Sequence, residues 1–448
     1  MKALDREILR LSLPSILANI TVPLVGLVDT AVAGHLHSAA GTSAEFIGGI
    51  SVGAMVLNVI YWNFAFLRAS TGGLTAQAFG RRGDTNSILR RALKLALGFA
   101  VVMVALGWPI SRIALLFRDA TPNVAALAIQ YVLIRIWAAP ATLSLMALKG
   151  WFIGMQDTRS SMFADLTVNI VNIAASIILT LGIGGWHGLG FPGIALGTVI
   201  AQYSGLLLAF GICIFRYRIP VCSRKTAENG NGFFHLNANL FVRSLCMTAI
   251  YFGYTIIASR YGETMLACAN IMMNLLMIFS YFTDGFAYAG EALTGRFIGE
   301  GDSGMLRAAI RGTFRWSFGV AGIWIAIYLA AGLPMLHMMT DDPVVVDACR
   351  QFLPWLGVMP LIGCAAFTWD GIYIGATASK GIRDSMLWAV VAFFGLWFAG
   401  LAALNWLSPA ATSGISPATG IHLLLAAYFA HLLARTAWLS YQYKRQIG

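Results

Sequence analysis

The sequence predicts an all-α polytopic membrane protein, with about twelve transmembrane helices in two six-helix, pseudo-symmetric lobes around a central cavity. Three observations predict it. Hydrophobic residues make up 58% of the 448-residue chain and charged residues only 11%, against roughly a quarter charged in soluble domains. Apolar runs of about 20 residues, the length that crosses a hydrocarbon core, recur from one end of the chain to the other. The second half of the chain also repeats landmarks of the first.

Breaks in hydropathy place the spans at 8–36, 45–72, 88–117, 123–153, 161–184, 191–215, 237–260, 264–293, 305–338, 344–376, 384–406 and 418–441. The net charge of +11 is spread over alternate loops, so it does not mark a nucleic-acid surface. One loop set holds Lys2, Arg6 and Arg10, then Arg81 and Arg82, Arg159, Arg216 and Arg218, Arg307, Lys380 and Lys444. The other set, 37–44, 185–190 and 407–417, has no Lys or Arg. The positive-inside rule then puts both termini in the cytoplasm. Lys2, Arg6 and Arg10 before an apolar run resemble a signal peptide, but the run is too long, and the first helix is read as retained.

The longest polar break, 216–236, contains Pro220 and the run Asn229-Gly230-Asn231-Gly232. It reads as a cytoplasmic linker between an N-terminal lobe, 1–215, and a C-terminal lobe, 237–448. Landmarks match across it. Gly83-Asp84 and Gly301-Asp302 close the second and eighth spans, and Pro122 and Pro343 open the fourth and tenth. Gly150-Trp-Phe-Ile-Gly154 is echoed by Gly371-Ile-Tyr-Ile-Gly375, and Arg159-Ser-Ser-Met162 by Arg383-Asp-Ser-Met386. Repeated halves in one orientation are an architecture of secondary transporters.

Within the first span sits one carboxylate, Asp29, after Pro14 and Pro23. A carboxylate inside the hydrocarbon is costly and marks a functional site by default. Pro23 lacks an N–H and crowds the carbonyl of Asn19, so a helix bend is expected there. At 1.5 Å per residue Asp29 lies roughly 12 Å below the helix end. Tyr131 and Ser176 fall at the same depth in their spans, and Asn172 about one turn deeper. Asn169 and Asn172 share a helix face and could equally serve as joints between helices. The six cysteines are scattered without ligand spacing, and His35 with His37 is too little for a metal site. No H-E-x-x-H, no G-x-S-x-G in a suitable turn and no phosphate-cradling loop occurs, so an enzyme is not expected.

The stretch Pro-Leu-Val-Gly-Leu-Val-Asp-Thr-Ala-Val-Ala-Gly-His-Leu, 23–36, resembles the first-helix signature of the DinF-like branch of multidrug and toxic compound extrusion (MATE) transporters. Residues 280–293 and 369–377 support the resemblance, which covers the whole chain. It implies a monomeric exporter in a bacterial inner membrane, exchanging bulky cationic or amphipathic compounds for protons or sodium. It also implies that Asp29 is the coupling residue, with Tyr131, Asn169 and Asn172 as polar partners. Some relatives carry a second Asp where Ser176 stands, which leaves Asp29 to act alone. Sodium-coupled relatives use carboxylates on the seventh and outer tenth helices, and 244–259 and 351–369 contain none, which favours protons. A sodium-coupled antiporter or a lipid flippase of the same superfamily is the alternative, and no cofactor is expected.

In the second lobe, Asp284 and Glu291 lie seven apart on one helix face, as a second polar site or as partners of Arg243 or Arg296. Lys149 and Asp370 precede the equivalent glycines of the two lobes, and a salt bridge between them is expected to close an inner gate. Arg135, deep in the fourth span, needs a partner that the sequence does not identify.

Overall fold

The computed structural model describes residues 2–36, 41–116, 121–218, 230–407 and 416–447. All regular elements among them are helical. The first half contains α1 (Lys2–Gly34), α2 (Ser43–Asn63), α3 (Phe66–Gly80), α4 (Thr85–Ala105), α5 (Gly107–Arg112), α6 (Pro122–Arg135), α7 (Ala139–Gly154), α8 (Thr158–Leu181) and α9 (Phe191–Phe215). The second half follows with α10 (Gly230–Ser259), α11 (Glu263–Glu300), α12 (Ser303–Met339), α13 (Pro343–Arg350), α14 (Leu353–Gly375), α15 (Ser379–Leu407) and α16 (Pro417–Gln446). Eleven helical segments are long and apolar enough to cross a membrane, and twelve if the bent pair α4–α5 counts as one.

That pair corrects the expected straight span at 88–117, because the chain turns by 62° between α4 and α5. Gly107 sits against Ile136, and Pro109 can give no N–H to the helix, so the break falls where continuation is weakest. The expected span 344–376 is likewise two helices, α13 and α14. In contrast, α1 runs as one helix through Pro14 and Pro23.

Contacts divide the chain into two compact units, Leu17–Asn231 and Met1–Ile16 with Gly232–Gly448. Helix α1 is divided between them at Ile16 and Leu17. Its opening sixteen residues pack with the second half because Asp5 pairs with Arg315 and Glu7 with Arg296, the latter at 2.7 Å. Gly285 also leaves room for Ile16 and the Ser12 carbonyl.

The repeated landmarks have structural causes. Asp84 and Asp302 cap α4 and α12 by accepting from backbone N–H groups of the first turn. Thr121 and Asp342 cap α6 and α13, each followed by a proline at the first helical position. A side chain at Gly150 or Gly154 would collide with α3 at the Arg68 and Gly72 carbonyl oxygens. One at Gly371 or Gly375 would collide with α11 at the Ala287 and Glu291 carbonyl oxygens. Two residues past each second glycine, Gln156 (φ 62°) and Thr377 (φ 54°) both adopt left-handed backbone, although neither is glycine. Such a conformation is costly for a side-chain-bearing residue, so its recurrence at matched positions marks the same turn built twice.

Candidate functional site

Asp29 is 6% exposed, with Val32, Ala33, Phe46, Ile50 and Phe191 forming an apolar cluster next along the first half. Ser176 of α8, fully buried, donates its hydroxyl to Asp29 Oδ1 at 3.1 Å. The two helices that carry the polar layer can approach because of glycine. A Cβ at Gly197 of α9 would stand 2.7 Å from the Ser176 backbone nitrogen, and at Gly193 it would meet Leu179 and Thr180 of α8. Small residues spaced by four let membrane helices pack backbone to backbone.

Asn172, one turn before Ser176, donates to Thr198 Oγ1 at 3.0 Å. Thr198 bonds back to the Ile194 carbonyl and also interacts with the Tyr131 hydroxyl. Tyr131 is 1% exposed, and its ring sits where Gly53 of α2 leaves space. Its hydroxyl accepts from Arg135 Nη1 at 2.9 Å, and the guanidinium lies 5.5 Å from the same ring. Arg135 is close enough to act electrostatically on Asp29. The partner that sequence could not supply for Arg135 is therefore its own i−4 tyrosine, with the carboxylate of α1 beyond it.

The structure thus brings together Asp29, Ser176, Asn172 and Tyr131, as the depth argument expected, and adds Arg135 and Thr198. Asn169 stands apart from this group and donates to Thr21 Oγ1 of α1 at 2.5 Å. Thr198 carried no sequence signal beyond its polarity in an apolar run. Pro23 is exposed, and His37 lies outside the described residues. Among the described residues no group of three or more His, Cys, Asp or Glu side chains could hold a metal ion.

Each member of the expected Lys149–Asp370 gate holds partners in its own half. Lys149 Nζ is 2.7 Å from Asp165 Oδ1 on α8. Asp370 Oδ2 is 2.6 Å from Arg243 and 2.5 Å from Arg435. A carboxylate sunk this deep takes the nearest cations available. Arg243 pairs with Asp370, and Arg296 with Glu7 and Glu300. Glu291 is fully buried and Asp284 half-buried, both on α11.

The MatE family model matches residues 14–178 and again 240–399, a stretch in each half. The DNA damage-inducible protein F of Escherichia coli (strain K12) is 35% identical over 398 residues, covering 87% of this chain and 84% of that protein. A probable multidrug resistance protein NorM of Rhizobium meliloti (strain 1021) is 26% identical over 404 residues, covering 88% and 84%. Among solved structures, an outward-facing multidrug resistance MATE transporter superposes with a TM-score of 0.84 at 17% identity, covering 99% of this chain and 97% of that one. A MATE crystal structure in a bent conformation superposes with a TM-score of 0.83 at 17% identity, covering 99% and 96%. With the family model matched across both halves, this polytopic helical chain belongs to the MatE family of multidrug and toxic compound extrusion transporters and stands on its DinF-like branch.

Proposed function

We propose that the protein exports bulky cationic or amphipathic compounds across a bacterial inner membrane in exchange for protons, with Asp29 as the protonation switch. The observation that carries this reading is the surrounding of Asp29, a buried carboxyl that accepts from a hydroxyl and feels the charge of a guanidinium. Such a group has a use for both of its states. Ionised, it accepts from Ser176 and is countered by Arg135. Protonated, it gives up the attraction to Arg135 and becomes a hydrogen-bond donor.

The change is felt on α1, whose Pro23 deprives the Asn19 carbonyl of its usual helical donor and makes this the easiest place to bend. A bend there on proton uptake would reshape the space that holds the cargo and expel it. Asn169 on Thr21 and Ser176 on Asp29 grip α1 on either side of Pro23, which supports a hinge between two held points.

Transport by the full-length protein in membrane vesicles with an imposed pH or sodium gradient tests the reading. Export of a cationic dye driven by the pH gradient alone is expected. Asp29→Asn is expected to abolish it while leaving the amount of protein in the membrane unchanged. Full export by Asp29→Asn, or export that follows only the sodium gradient, would overturn the proposal.

A further inference from the structure

Within the second half, α15 and α16 leave an open groove of about 390 Å³ between them. Trp388 and Val391 line it from α15, and Ala437, Trp438 and Tyr441 from α16. The two indole rings lie 5.9 Å apart at 39° to one another. A small residue, Ala437, beside two large rings is what leaves the hollow. Trp388 is 51% exposed and Tyr441 80%, yet both stand on helices of membrane-crossing length and composition. The groove therefore opens toward lipid. At 1.5 Å per residue, Tyr441 and Ala434 lie roughly 8 Å and 18 Å before the end of α16 at Gln446. That is the depth of a single leaflet, about half of a 30 Å hydrocarbon core.

The apolar stripe on α16 runs into charge. Lys444 and Arg445 follow Tyr441 by three and four residues, on the same helix face and in the last turn. Both are exposed, and neither forms an ion pair among the described residues. On the α15 side, Asp384 precedes Trp388 by one turn, but Arg383 holds its charge at 2.7 Å. The mouth of the groove is thus cationic. Partway along, Trp438 Nε1 is buried without a hydrogen-bond partner. An apolar trough, a stranded N–H donor and two cations follow one another in the order of the acyl chain, ester carbonyl and phosphate of a phospholipid. Basic groups beside a groove between membrane helices favour an anionic headgroup.

We propose that this groove binds an anionic phospholipid. One acyl chain lies between α15 and α16 against Trp388 and Trp438, and Lys444 and Arg445 hold the headgroup phosphate. The site is separate from Asp29 and depends neither on the coupling ion nor on which side of the membrane the end of α16 faces. Cations suit a helix C-terminus without any lipid, and indoles suit any membrane interface. Neither of those roles requires the groove to prefer one phospholipid over another, and that preference is what the experiment reads.

Full-length protein is reconstituted in phosphatidylcholine vesicles with a rising fraction of acyl-brominated lipid, either phosphatidylglycerol or phosphatidylcholine. Bromine quenches the tryptophans it touches, and the difference between the native protein and Trp388→Phe isolates the groove. Brominated phosphatidylglycerol is expected to quench that component at a fraction about tenfold lower than brominated phosphatidylcholine. Lys444→Gln with Arg445→Gln is expected to make the two lipids equal. Ala437→Leu, which fills the groove and keeps both cations, is expected to weaken the preference as well. Equal quenching in the native protein, the result for ordinary surrounding lipid, overturns the proposal. So does a preference that survives either set of substitutions. Absence of quenching by both lipids, as when a second copy of the chain covers the groove, overturns it too.

Discussion

At the scale of single residues, the polar layer around Asp29 is a chain of dependent contacts. Removing the Tyr131 hydroxyl by Tyr131→Phe leaves Arg135 without its buried acceptor. A loss of about 1–3 kcal/mol in stability is expected, read as a lower unfolding midpoint together with weaker dye export. Ser176→Ala removes one acceptor contact of Asp29 and should disturb coupling more than folding, so the pH dependence of export is the measurement that reports it. Lys149 and Asp165 form a half-buried pair. Each charge-removing single variant should cost about 1–3 kcal/mol, and the swapped pair Lys149→Asp with Asp165→Lys should regain part of it, as a double-mutant cycle would show. Asp29 was legible in the sequence because a carboxylate in an apolar run is rare enough to stand out. Asp165 and Thr198 were not, since their meaning comes from which helix faces them. Nor was it legible that Lys149 and Asp370, at equivalent positions of the two halves, each pair inside their own half.

Helices form the next scale, and here glycine and capping residues carry the information. At Gly371 the neighbouring Ala287 carbonyl leaves no room for a methyl group, so Gly371→Ala should lower the unfolding midpoint sharply or prevent accumulation. Gly26 of α1 has nothing within 4 Å of a hypothetical Cβ. Gly26→Ala should therefore stabilise by about 0.5–1 kcal/mol through helix propensity alone. Beyond the membrane end of α9, burial and the adjoining Asp157 carboxylate hold the Tyr217 phenol well above its usual range, so it remains a donor to Asp157 at 2.7 Å. The apolar runs made eleven spans legible because their length and composition are set by the bilayer. The 62° break after α4 was visible only as Gly107 and Pro109, residues that other spans carry without breaking. Pro14 and Pro23 show the converse, two prolines inside a helix that continues.

For the molecule as a whole, the two halves were legible because the same construction problem was solved twice. A close helix crossing, a left-handed turn and a capped restart demand the same residue types wherever they occur. The allegiance of α1 was not legible, since a uniformly apolar helix does not announce which neighbours its ends prefer. Residues 1–16 belong with 232–448, while the same helix from Leu17 onward belongs with the first half. A gene cut within 219–229 would consequently give two polypeptides, the first of which still carries a piece of the second. Co-expressed, the fragments should be recovered together on an affinity tag fused to the later one. The later fragment expressed alone should accumulate poorly and improve when a segment corresponding to residues 1–16 is joined to it, so the minimal independent piece of this protein is discontinuous in sequence.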